Sequence, residues 1–387
     1  MSIDSLAAVI FILSISYFLW ANRSKVEFQK ALFPILYVIM YRSTFGLKGM
    51  KRLADRFPRL LRLLGGTGTV IGFIGMAVIA IELIRTTILL FISTDPLPGI
   101  QPVLPIEAKG VFFIPFIYWI ISIFSIALVH EFAHGILANV HKIPVKSSGF
   151  AFLSILVPII PAAFVEPDET LLRKKPNRQQ LAVFAAGPFS NILFAALVFG
   201  LFFAISPVLD AAYEPKGVEL LSASNASYNA GLREGDIVVS MNEIKTISSK
   251  NITSLLSKFK PGDELTVRTT NQTLTVLLGE HPKNSTQPYL GIQAKPYQEP
   301  KPEFTARYGR HTPAVLAWIA GLLFVLFILN IGIGLFNLLP IGPLDGGRMF
   351  QLVCIKIFKK NGLRIWSGIS MFFLILILTN IVFGILH

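Results

Sequence analysis

In His130-Glu131-Phe132-Ala133-His134, two imidazoles stand four residues apart. On a helix that spacing puts both on one face, one turn apart, so their nitrogens can reach a single Zn2+. Glu131 projects beside the metal. There it can take a proton from metal-bound water and pass it to a leaving amine, the chemistry of a hydrolase. A catalytic zinc needs a third protein ligand and an open position. A further ligand on the same helix is not offered by the extended HExxHxxGxxH pattern, because Leu137 and Val140 occupy its Gly and His positions. His141 shares the helical face but sits near the helix end beside Lys142, a weak competitor. The better candidate is Asp345, in Asn337-Leu338-Leu339-Pro340-Ile341-Gly342-Pro343-Leu344-Asp345-Gly346-Gly347. Backbone this rich in Gly and Pro, following an apolar span, must line a polar cavity rather than face lipid. An Asp at such a place is a functional candidate. A capping Asp that opens a helix before Arg348 and Met349 is the alternative the local sequence leaves open. The remaining histidines, His141, His281, His311 and His387, read as structural or solvent-facing.

These groups must be held by membrane helices. Of 387 residues 53% are hydrophobic and only 15% charged, which marks a polytopic α-helical membrane protein. Apolar stretches long enough to span lipid fall at about 3–20, 70–91, 111–140, 181–209, 313–338 and 365–386, six in all. The first lacks a basic leader region and a cleavage site, so it reads as a retained anchor. His, Glu and His inside the third are expensive to bury unless they bind a metal. The net charge of +13 is concentrated in loops. Arg23, Lys25, Lys30, Arg42, Lys48, Lys51, Arg52, Arg56, Arg59 and Arg62 crowd between the first two spans, which places that loop in the cytoplasm. A further apolar stretch, 150–165, carries Pro158 and Pro161. It has basic residues at both ends, Lys142 and Lys146 before it and Arg173, Lys174, Lys175 and Arg178 after it. Both ends then lie on one side, and the stretch reads as a re-entrant hairpin. No aromatic-plus-basic platform supports a nucleic-acid partner; the basic loop suits anionic lipid headgroups. The single cysteine, Cys354, excludes an intrachain disulfide and a Cys-rich zinc site.

Residues 213–296 break the apolar pattern. Short alternating strands are expected at 217–223, 237–241, 264–269 and 274–278, with an amphipathic helix at 252–259. The domain plan is therefore 1–110, N-terminal segments with the basic loop; 111–209 and 312–387, two parts of a catalytic membrane core; and 213–296, a small α+β insert. The charge pattern puts the insert outside the cell membrane and the chemistry nearer the cytoplasmic face.

HEFAHG at 130–135 and NLLPIGPLDGG at 337–347 together resemble the two signatures of the site-2 protease family. Ala186-Gly187-Pro188-Phe189-Ser190-Asn191 resembles that family's third motif. The run from Ala230 to Val238 resembles the core of a PDZ domain, and such an insert occurs in many members. The likeness covers about 110–355. It implies an intramembrane zinc metalloprotease acting in regulated intramembrane proteolysis, with His130, His134 and Asp345 as ligands and Glu131 as base. Asn191 and Asn337 would line the site and hold the substrate backbone or the oxyanion, although interhelical hydrogen bonding is another use for a membrane Asn. The implied substrates are single-span membrane proteins already shortened by a first cut. The PDZ-like domain would take a peptide end or act as a size filter; a spacer without a ligand is its alternative.

Overall fold

The computed structural model describes residues 3–32, 36–93, 96–154, 158–246, 248–282 and 284–386. The turn of the expected hairpin, at 155–157, and His387 lie outside them. The chain forms two compact units, Met1–Phe202 with Gly321–His387, and Phe203–Ala320. Among the described residues six helices are long and apolar enough to cross a bilayer. In lipid a helix satisfies its backbone within its own segment, which is why these apolar runs become helices.

In chain order the first unit contains α1 (Ile3–Ala21), β1 (Val26–Leu32), β2 (Leu36–Ser43), α2 (Leu47–Arg56) and α3 (Pro58–Ile92). A two-residue parallel pair follows, β3 (Val103–Leu104) with β4 (Phe112–Phe113), and then α4 (Phe116–Val140). Next come β5 (Val145–Ser154), β6 (Pro158–Pro167), α5 (Glu169–Arg173) and α6 (Asn177–Ala212), whose residues from Phe203 onward belong to the second unit. Pro58 opens α3 at its first turn, where a missing N–H costs nothing. Asp168 caps α5, its Oδ1 accepting from Leu171 N at 3.0 Å.

The basic stretch between the first two spans is not only a loop. Its strands β1 and β2 join β5 and β6 in an antiparallel sheet of order β1-β2-β5-β6. The Leu36–Ser43 segment is β-branched and aromatic, suited to a strand, but its flanking charges dominate the sequence pattern. Arg42 on β2 lies opposite Gly149 on β5. With no side chain there to block it, Arg42 pairs with Glu166 on β6 as well as with Glu27 on β1. The sheet is thus tied across its width, with β1 and β6 as its edge strands.

One face of α3 is a row of buried glycines, Gly65, Gly68, Gly72 and Gly75. A Cβ at Gly68 would come within 2.9 Å of Phe189 on α6, and one at Gly75 within 2.6 Å of Leu338. Small residues let membrane helices approach this closely. The row therefore seats α6 and the segment that carries Asp345.

The second unit continues with β7 (Tyr213–Ala223), α7 (Asn225–Asn229), β8 (Ile237–Met241), β9 (Ile244–Lys245), α8 (Ser249–Leu256), β10 (Glu264–Thr269) and β11 (Thr273–Leu277). After these come β12 (Gly279–His281), β13 (Asn284–Tyr289), β14 (Ile292–Pro300) and α9 (Pro302–Tyr308). The main sheet runs β11-β10-β8-β7-β14, with β9 on β8 and β14 at an edge. Its core is Val218, Leu220, Leu232, Val238, Met241, Leu265, Val267, Val276 and Leu290, covered by Ile252 and Leu255 of α8. Tyr213 pairs with Pro300, so the two ends of this sheet lie side by side. The helices α10 (Thr312–Phe336), α11 (Asp345–Phe358) and α12 (Gly362–Leu386) complete the chain.

Candidate metal centre

His130 and His134 sit on the buried face of α4 in line with Trp119, Ser122 and Ile126. Asp345 reaches them from the start of α11. Its segment leaves α10 and folds back in tight turns: Ile341 N donates to Leu339 O at 2.8 Å, and Gly346 N to Asn337 O at 2.8 Å. A Cβ on Gly346 would lie 2.1 Å from Leu338 O, and one on Gly347 1.9 Å from Ile341 O. Only glycine lets the first turn of α11 nest on this segment. The N-cap residue is Leu344, with no side-chain capping bond, so Asp345 is not spent as a cap. Its carboxylate faces the histidines.

His130 Nε2 lies 3.0 Å from Asp345 Oδ2 and 3.1 Å from His134 Nε2, and His134 Nε2 is 3.3 Å from the same carboxylate oxygen. Bonds of about 2.0–2.2 Å at tetrahedral angles set zinc ligand atoms roughly 3.3–3.5 Å apart. The triangle therefore fits a small tetrahedral ion, and two imidazoles with one carboxylate are a zinc donor set. Space has been kept for it. Gly187 of α6 faces the triangle, and a Cβ there would fall 2.4 Å from both Nε2 atoms. The other nitrogen of His134, Nδ1, donates to Val183 O at 2.7 Å, which leaves Nε2 free to ligate. Among the described residues these three form the one group of metal-ligating side chains that close together. His141 is not part of it. It caps the end of α4, and burial together with Arg62 and Lys175 holds its pKa below the usual histidine value.

A cleft of about 330 Å³ opens on the triangle. Glu131, Asn337, Glu169 and Arg348 border it, with Phe164, Val165, Val183, Phe184 and Leu344 as apolar walls. Val165 N donates to Glu131 Oε2 at 2.9 Å, so the edge strand β6 holds this carboxylate beside the histidines. Asn337 lies on the cleft, where the sequence resemblance expects it. Asn191 differs: it is 0% exposed, is not among the cleft residues, and stands behind His130 with Nδ2 3.2 Å from Nδ1. Sequence reasoning passed over Arg348, which lies over the Phe184 ring and pairs with Glu169 at 3.4 Å. It also passed over the α3 glycines, although their small-residue spacing is visible in the sequence.

A sequence profile of peptidase family M50 matches residues 118–379, more than half of the chain, including His130, Glu131, His134, Asn191, Asn337 and Asp345. The chain belongs to peptidase family M50. This is the site-2 protease family, whose members are intramembrane metalloproteases that use zinc. The M50 chain is accordingly an integral membrane protein of a metalloprotease family. It is also 27% identical over 275 residues to an uncharacterized protein of Methanocaldococcus jannaschii, covering 70% of this chain. The match spans 66% of that protein's length.

Proposed function

We propose that this M50 chain is a zinc endopeptidase that cuts a transmembrane segment of another protein. The observation that carries this reading is the triangle of His130, His134 and Asp345, mutually within 3.0–3.3 Å, with Glu131 on the same cleft. Bound there, zinc would supply Lewis-acid activation of water and of the scissile carbonyl. Glu131 acts as general base and then general acid, taking the proton of the attacking water and giving it to the leaving amine. The Val165 N–H fixes the Glu131 carboxylate for this transfer. Asn337 on the cleft is the amide suited to hold the substrate backbone or the developing oxyanion. The walls Phe164, Val183, Phe184 and Leu344 limit bulk water.

A substrate helix keeps its carbonyls in internal hydrogen bonds and must unwind before attack. The β5/β6 hairpin, read as re-entrant, supports a route for this. Its edge strand β6 offers backbone groups to an unwound segment beside Glu131, as in other strand-addition complexes. The suited substrates are single-span membrane proteins shortened by an earlier cut. The second unit is read as PDZ-like and extracytoplasmic, with the active site nearer the cytoplasm. A shallow groove between α8 and the edge strand β14, lined by Ile252, Leu256, Leu290, Gly291 and Ile292, supports peptide binding there.

The test compares wild type with Glu131→Gln and Asp345→Ala on a model membrane helix in proteoliposomes. Glu131→Gln is expected to keep zinc and lose about 10²–10⁴-fold in rate; retained cleavage would sink the assignment. Asp345→Ala is expected to lose zinc, and full occupancy would count against the third ligand.

A further inference from the structure

We propose that Asn191 is a positioning residue for His130: its side-chain oxygen accepts the Nδ1–H of that ring and so turns Nε2 toward the metal. The proposal rests on the zinc reading above. A neutral imidazole has one N–H and one lone pair. The two Nε2 atoms and the Asp345 oxygen converge, so both lone pairs are needed on Nε2 and both N–H groups belong on Nδ1. Metal-ligating histidines hold that N–H on an outer acceptor, which sets tautomer and ring orientation. For His134 the acceptor is Val183 O at 2.7 Å. For His130 the side chain at Nδ1 is that of Asn191, and there the two amide ends matter. The end at 3.2 Å is Nδ2, a donor, while Oδ1 is buried without a partner. A donor facing Nδ1 enforces the opposite tautomer, with hydrogen on Nε2. Amide oxygen and nitrogen are nearly equal in size, so a half-turn about Cβ–Cγ exchanges them without new packing. It converts the contact into Nδ1–H···Oδ1, the form that ligation requires.

The surroundings agree. On α10, Gly334 packs on Asn191, with a Cβ there 3.2 Å from the Asn191 Cβ. One turn before it, Asn330 gives its own NH2 to Leu326 O at 2.7 Å and keeps a buried, unpartnered Oδ1. Gly187 and Asn191 then divide two tasks on one face of α6. Gly187 clears the Nε2 side of both rings, and Asn191, one turn later, holds the rear of one.

The experiment measures zinc affinity of the full-length protein in detergent by competition with a chromophoric chelator. Asn191→Leu is expected to weaken zinc by about 10–100-fold. Asn191→Ala repeats the loss if Leu is not accommodated. Asn191→Asp, whose carboxylate accepts but cannot donate, is expected to restore near wild-type affinity. Asn330→Leu, equally buried but without a ligand to hold, is expected to bind zinc as wild type does. Wild-type zinc affinity in both Asn191→Leu and Asn191→Ala would overturn the proposal. So would Asn191→Asp as weak as Asn191→Leu, or an equal loss in Asn330→Leu. A wild-type protein that binds no zinc would overturn the metal reading itself, and this proposal with it.

Discussion

At the residue scale the site depends on what is missing as much as on what is present. Gly187 has no Cβ, and the 2.4 Å that one would leave to each Nε2 is less than any stable contact. Gly187→Ala is therefore expected to abolish zinc binding while Glu131, His130, His134 and Asp345 are all retained. Metal analysis of the purified variant checks this, and a full equivalent of zinc would refute it. The same argument explains why Gly346 and Gly347 follow Asp345: any side chain would strike the carbonyls of Leu338 and Ile341 and push α11 off its seat.

At the element scale the edge strand β6 has two attachments. One is the Val165 N–H, which donates to Glu131 rather than to β5. A proline fits an edge position whose N–H does not serve the ladder. Val165→Pro is thus expected to keep the sheet and lower the rate. A hydrogen bond to a charged group is worth about 1.5–3 kcal/mol, or roughly 10–100-fold. Unchanged turnover would remove Val165 from the mechanism. The other attachment is Glu166, whose carboxyl is held below its ordinary value by the Ser147 hydroxyl first and then by Arg42. Since its folded pKa is depressed, its contribution to stability is full above the ordinary value of 4.5 and fades as pH falls through the lowered one. Protease nicking of the hairpin region should rise below pH 4.5 in wild type, and Glu166→Gln should remove the pH dependence.

For the whole molecule, all of the candidate site belongs to the first unit and none to the second. The second unit has its own core, and its sheet begins and ends on paired residues, Tyr213 and Pro300. Two outcomes are expected. Residues 213–300, expressed alone, should melt cooperatively. A chain in which 214–299 are replaced by a short Gly/Ser linker should still bind zinc and cleave a short model helix. Loss of zinc in that chain would tie the site to the insert. If the insert filters size, the same deletion should also admit a substrate with a bulky outer domain.

Local chemistry was legible without coordinates. A His-Glu-x-x-His helix in an apolar setting and an Asp in a Gly/Pro-rich break each carry their signal within a few residues, and hydropathy marks the spans. The strands expected at 237–241 and 264–269 coincide with β8 and β10, because period-2 alternation is equally local. What the tertiary structure decided is whatever depends on residues far apart in the chain. It turned part of the basic stretch 23–62 into strands, since β2 pairs with β5, over a hundred residues later, and β1 adds to β2. It chose Asp345 as a neighbour of His130 rather than a helix cap, through turns that only close packing on α3 and α10 can set. It also set Asn191 against the Nδ1 side of His130. A sequence shows which side chains can hydrogen-bond; which face of a ring each one meets is set by how the helices pack.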